Sequence, residues 1–196
     1  MDQPLDSDGA RRLETYFAGI GALLNDARRK ASFALYAMGL LLDGDRKSVE
    51  PMAARLFSTP DETERAHDRM LHFAADGKWS DRDVRRYAAH YGLAALTARE
   101  PIEHWILDDT GFIKQGTHSV GVQRQYTGSA GKTTNCQVGV SLSVATRSEH
   151  LPIDFELYLP ESWTEDPKRR REAKIPDDIV FRTKPVLVLE MIDPAD

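Results

Sequence analysis

Apolar residues recur at three- and four-residue spacing through the first hundred positions, in Leu13, Phe17, Ile20, Leu23 and Leu24 and again in Phe33, Tyr36, Leu40 and Leu41. That period places them on one face of a helix, so the segment from about Ala10 to Glu100 predicts a helical bundle. Asp43-Gly44-Asp45 ends the second helix. Ser48 before Val49-Glu50-Pro51, Ser58-Thr59 before Pro60-Asp61-Glu62, and Ser80 before Asp81-Arg82-Asp83 each have the form of a cap with proline or acids in the first turn. Four or five helices are expected.

After Pro101 the period changes. Val138, Val140, Leu142 and Val144 alternate with Gly139, Ser141 and Ser143, the pattern of a strand with one buried face. Further strand-like runs are Trp105 to Leu107, Ser119 to Tyr126 and Ile153 to Leu159, separated by turn residues. The expected fold class is α+β: a helical region over 1–100, then an antiparallel meander over 101–196 closed by an apolar element, Pro185 to Ile192, read as either a helix or a strand. That element stops a few residues before Asp193-Pro194-Ala195-Asp196, which reads as an interrupted domain.

Composition narrows the picture. The apolar fraction of 41% suits a folded core, and no run approaches the roughly 18 apolar residues that span a bilayer. With an acidic N-terminus in place of a secretory signal, a cytoplasmic protein without a membrane partner is expected. A single cysteine, Cys136, excludes an internal disulfide and reads as a small buried strand residue. The net charge of −5 gives no general basic surface, so any nucleic-acid contact must come from local clusters. Lys168-Arg169-Arg170-Arg171 is one such cluster, balanced against a solvated loop by the acids around it.

Candidate chemistry is concentrated in Trp105-Ile-Leu-Asp-Asp-Thr-Gly-Phe-Ile-Lys-Gln-Gly116, where an apolar strand runs into two carboxylates and glycines that suggest a turn. Side chains alternate along a strand, so Asp108 and Asp109 face opposite ways and one of them is the candidate metal ligand. The plain alternative is a strand ending in a solvated turn whose aspartates cap amides. Gly128-Ser-Ala-Gly131-Lys132-Thr133 lacks the first glycine of a phosphate-binding loop, Tyr126 standing there, and leads into a strand where that motif needs a helix. His104, His118 and His150 have no ligand spacing, and His118 with Ser119 points to opposite faces, which excludes a nucleophile and base pair.

Taken together, the Trp105–Gly116 segment, its continuation through Lys132, and Asn135-Cys-Gln-Val-Gly-Val-Ser141 resemble the DDE transposases of bacterial insertion sequences. The resemblance extends upstream to Gly39-Leu-Leu-Leu-Asp-Gly-Asp-Arg-Lys-Ser-Val-Glu-Pro-Met-Ala53. Downstream it includes Leu157-Tyr-Leu-Pro-Glu-Ser-Trp163 and Phe181-Arg-Thr-Lys-Pro185. It implies a ribonuclease H-like catalytic domain behind a helical region, DNA at insertion-sequence ends as substrate, and three acids holding divalent metal, expected to be Mg2+. The first acid falls on Asp109, with Asp108 as the alternate. Lys114, Arg124 and Lys132 lie in the matching motif as candidate phosphate contacts, joined by Lys168, Arg169, Arg170 and Arg171.

No residue matches the second and third acids, although Asp154, Glu156, Glu190 and Asp193 offer carboxylates. The expectation is therefore the N-terminal portion of such a transposase, truncated and inactive alone. The alternative is a DNA-binding or regulatory partner of a full-length transposase, and the expected protein partners are a second copy in a homo-oligomer or a full-length transposase.

Overall fold

A computed structural model describes residues 6–192, and Asp193 lies outside them. The chain divides into two units, Met1–Ala88 and Ala89–Asp196.

The first unit is helical, as its periodicity predicts: α1 (Ser7–Leu23), α2 (Ala27–Leu41), α3 (Val49–Leu56), α4 (Pro60–Asp76) and the beginning of α5 (Asp81–Thr97). Local sequence sets their starts. Asp26 caps α2 by accepting from the Arg29 amide at 3.0 Å, and Ser80 caps α5 by accepting from the Asp83 amide at 3.1 Å. At α4 the Thr59 hydroxyl lies 3.4 Å from the Glu62 amide and 2.6 Å from the Glu62 carboxylate, with Pro60 inside the first turn. Ser48 holds the cap position of α3, but its hydroxyl makes no capping bond. Two apolar clusters hold the helices. Met52, Ala53, Ala66 and Met70 form one, and Ile20, Leu24 and Phe73 the other, with Trp79 stacked on Phe73 at 5.2 Å between ring centroids.

In the second unit, β1 (His104–Ile113), β2 (Gln123–Thr127), β3 (Lys132–Ala145) and β4 (His150–Tyr158) form one antiparallel sheet. The organising strand is β3, whose alternation buries Val138, Val140, Leu142 and Val144. Along one edge it pairs with β1. Along the other it pairs with β2 over its first residues and with β4 over the rest. The meander is therefore β1, β3, β4, and β2 does not intervene between β1 and β3. It closes a short hairpin onto the start of β3, with Gly131 at positive φ in the turn.

Three helices follow: α6 (Glu161–Thr164), α7 (Pro167–Ala173) and α8 (Lys184–Ile192). The terminal apolar element is thus a helix. Its Leu187 and Met191 pack on Val140 and Leu142, with Ile153, Tyr158 and Val188 around them. Trp163 of α6 is buried and donates its indole N–H to the Val122 carbonyl at 2.8 Å, fixing the chain after β4 against the segment before β2. Cys136 is buried in β3 and free. No described helix is long and apolar enough to cross a membrane.

Candidate active site

The two adjacent aspartates lie within a strand. Where local residue preferences suggest a turn after Leu107, β1 continues through Asp108, Asp109, Thr110 and Gly111 to Ile113, paired residue for residue with β3. The ladder supplies partners for these backbone groups, and that outweighs the turn tendency of Asp-Asp-Thr-Gly.

Pairing register determines which carboxylate faces where. Asp109 opposes Val140, and Val140 opposes Glu156 on the far side. Residues directly opposite one another share a face, so Asp109 lies on the side of Val140, which α8 covers. Asp108 opposes Ser141 and belongs to the other face. Its carboxylate accepts from the Asp109 amide at 2.8 Å, and the Ser141 hydroxyl reaches its carbonyl at 3.4 Å. A groove of about 610 Å³ lies between β1 and α8, with Leu107, Val140, Pro185, Val188, Leu189 and Ile192 as its apolar lining.

At this groove, Lys184 donates from Nζ to Asp109 Oδ2 at 2.6 Å, with the two side chains 36% and 37% exposed. Lys184 lies in the motif Phe181-Arg-Thr-Lys-Pro185, but its role is missed by sequence reasoning, because 75 residues separate the partners. One local signal existed: a lysine beside proline at a helix start sits at the positive end of the helix dipole, where acids are favoured.

Metal chemistry finds a limited donor set. Among the described residues no group of three or more His, Cys, Asp or Glu side chains converges as for a metal ion. Glu190 is engaged by Arg182 at 3.1 Å. One carboxylate already paired with an ammonium does not fit a divalent cation, which takes six or more oxygen ligands.

The other candidates separate in space. Lys114 follows β1 and donates its amide to the Asn135 carbonyl at 3.0 Å, and Arg124 opposes Asn135 in the ladder. They flank one residue of β3 on the same face. Lys132 opposes Thr127, so it belongs to the other face of the hairpin. The basic tract is helical, forming α7, where a loop was the alternative to a phosphate-binding cluster. Asp166 caps it by accepting from the Lys168 and Arg169 amides at 2.9 and 3.1 Å. Arg169 lies over the Trp163 ring, 4.0 Å from its centroid. Arg170 donates to the carbonyls of Thr164, Ile179 and Pro176, which commits its guanidinium to holding the chain around α7. Lys168 sits 3.9 Å from Glu172 at helical spacing, and Arg171 is exposed.

Gly116, at positive φ, supports the turn after β1, whereas Gly111 serves a close approach inside the strand. A Cβ at position 111 would lie 2.0 Å from Thr127 Oγ1, and Ser129 donates to the Gly111 carbonyl at 2.7 Å. The bare glycine lets the β2–β3 turn close onto β1.

Comparison with known proteins agrees with the motif. Residues 17–196 match the family described as the DDE superfamily endonuclease. The chain is also 28% identical over 180 residues to the probable transposase for insertion sequence element IS701 of Microchaete diplosiphon, an alignment covering 92% of this chain and 42% of that protein. No solved structure matches.

Proposed function

Because the chain belongs to the DDE superfamily endonuclease family, we propose that it carries the first acid, Asp109, of a transposase that cleaves and joins DNA at insertion-sequence ends. The observation that supports this most is the register of β1, which puts Asp109 on the face of Val140 that α8 covers and Asp108 on the other face, both bordering the groove beside α8. The family generally uses divalent metal, and Mg2+ is the ion proposed, with Asp109 offering one hard oxygen donor. Further oxygen ligands are required beyond the described residues' own carboxylate groupings. The chain covers 42% of the length of the relative from Microchaete diplosiphon, so cleavage and joining are proposed for the catalytic region as a whole. Lys132, which the register puts on the same face as Asp109, is proposed to neutralise phosphates of the DNA backbone beside the acid, while Lys114 and Arg124 lie beside Asn135 on the opposite face.

A second reading is favoured by the absence of a converging acid cluster among the described residues: a DNA-binding or regulatory partner of a full-length transposase. One experiment separates the two. Purified protein is incubated with duplexes carrying insertion-sequence ends in Mg2+ or Mn2+, and both complex formation and strand nicking are measured for the wild type and Asp109→Ala. Nicking that disappears in Asp109→Ala supports the nuclease. Complex formation without nicking supports the partner, and neither complex nor nick overturns both.

A further inference from the structure

The sheet face opposite Asp109 carries cations and aromatic rings that the catalytic reading does not use. No Asp or Glu occurs between Asp109 and Glu149, a stretch that includes Lys114, Arg124 and Lys132 and spans all of β2 and β3. In a chain of net charge −5 that is a local exception. Register sorts its side chains. Lys114 and Arg124 stand opposite Asn135 from either side, so their backbones are about 10 Å apart across β3. Phe112 precedes Lys114 by two residues and Tyr126 follows Arg124 by two, which puts all four on one face. Between them, Asn135 commits its amide to the Lys114 and Gly116 carbonyls, and Gln137 commits its own to the Val120 carbonyl. Tyr126 is 66% exposed and Phe112 55%. The Phe112 ring lies across Gly139, where a Cβ would come 3.3 Å from ring carbon Cε2, so the strand supports the ring while more than half of the residue stays in solvent.

We propose that this face binds single-stranded DNA, with Tyr126 and Phe112 stacking on unpaired bases and Lys114 and Arg124 neutralising its phosphates. A ring standing out from a sheet reaches the π-face of a base only where that base is unpaired, which selects a single strand over a duplex. Cations with no carboxylate beside them in the ladder select a polyanion over an apolar protein strand. Stacking tolerates any base, and the amides that could read base edges are already bonded, so the binding is insensitive to sequence. The choice of DNA over RNA rests on the function proposed above.

The test titrates the 196-residue chain, in the presence of a metal chelator, into a short fluorescent oligodeoxythymidine or its duplex with oligodeoxyadenosine. Anisotropy reports binding over a range of salt concentrations, and circular dichroism reports folding. Tyr126→Ala and Tyr126→Leu are each expected to weaken single-strand binding about tenfold, the effect of losing one stacked base, and to leave duplex binding unmoved. Tyr126→Phe keeps the ring and should match the wild type. Phe112→Leu should weaken single-strand binding as Tyr126→Leu does. Arg124→Gln should lower the slope of log affinity against log salt by about 0.7, the value for one phosphate contact on a single strand. Folded Tyr126→Leu and Phe112→Leu proteins that hold the single strand as tightly as the wild type overturn the proposal. An equal loss of duplex binding, or tighter binding of oligouridine than of oligodeoxythymidine, overturns it too. The chelator excludes metal-dependent nicking, so this result and Asp109-dependent cleavage can fail separately.

Discussion

Gly111 shows how much one missing methyl group can decide. Its position in β1 lies against Thr127 and Ser129, and a Cβ there would also come within 2.4 Å of Thr127 Cβ. Thr127 is buried, so the neighbour cannot swing into solvent. Gly111→Ala is expected to destabilise the second unit by roughly 1–3 kcal/mol, the range for overpacking a closed site. Urea denaturation followed by tryptophan fluorescence measures it, and a variant as stable as the wild type would mean that the turn readily retreats. Residue-scale features were unevenly legible. Thr59, Ser80 and Asp26 cap through bonds to amides three positions away, so neighbouring sequence suffices to find them. Lys184 meets Asp109 across most of the second unit, and no local pattern encodes that distance.

Among elements, β1 is the most exposed. It lies at the edge of the sheet, and Trp105, Ile106, Leu107, Phe112 and Ile113 are all exposed along it. An edge strand with apolar side chains and unpaired backbone groups is a template for pairing with another chain. Concentration-dependent self-association is therefore expected, and Ile106→Lys, which places a charge on the face away from α8, should reduce it. Sedimentation velocity over a range of concentrations decides the matter; a wild-type monomer throughout would show that the edge is guarded. The strand's full length was not legible, since Asp-Asp-Thr-Gly favours a turn when read alone and extends only because β3 supplies ten consecutive partners. The alternation of β3 was legible because burial of one face writes it directly into the sequence.

For the whole molecule, each of the two units carries a carboxylate whose pKa is held below its ordinary value. In the first unit the Arg29 amide, bonded to the capping Asp26, is the main cause. In the second, the hydroxyls of Thr146 and Ser148, followed by the Ser148 amide, lower Glu100. Depressed carboxylates stabilise the folded state above the unfolded pKa, and that contribution is lost as pH falls through the lower folded value. Both units should therefore lose stability in mild acid, around and below the ordinary carboxylate range. Asp26→Asn and Glu100→Gln should each flatten the fall in melting temperature between pH 6 and pH 3. Unchanged acid profiles in the two variants would assign that loss to other groups. The change from helical to strand periodicity was legible at this scale because each half repeats its own period many times. The order of strands was not, because β2 reads as a strand like the others and only its partner reveals it as an outgrowth of β3.

The ten-pair ladder between β1 and β3 has a further consequence. Asp109 is anchored by residues on both sides of it, while the connection over 114–122 hangs from the far end of the same strands, and the turn over 128–131 is tied to Gly111 through Ser129. The longer connection can lengthen, shorten or exchange residues without shifting the acid. Sequence changes can thus accumulate at one end of the sheet while the Asp109 carboxylate stays where it is.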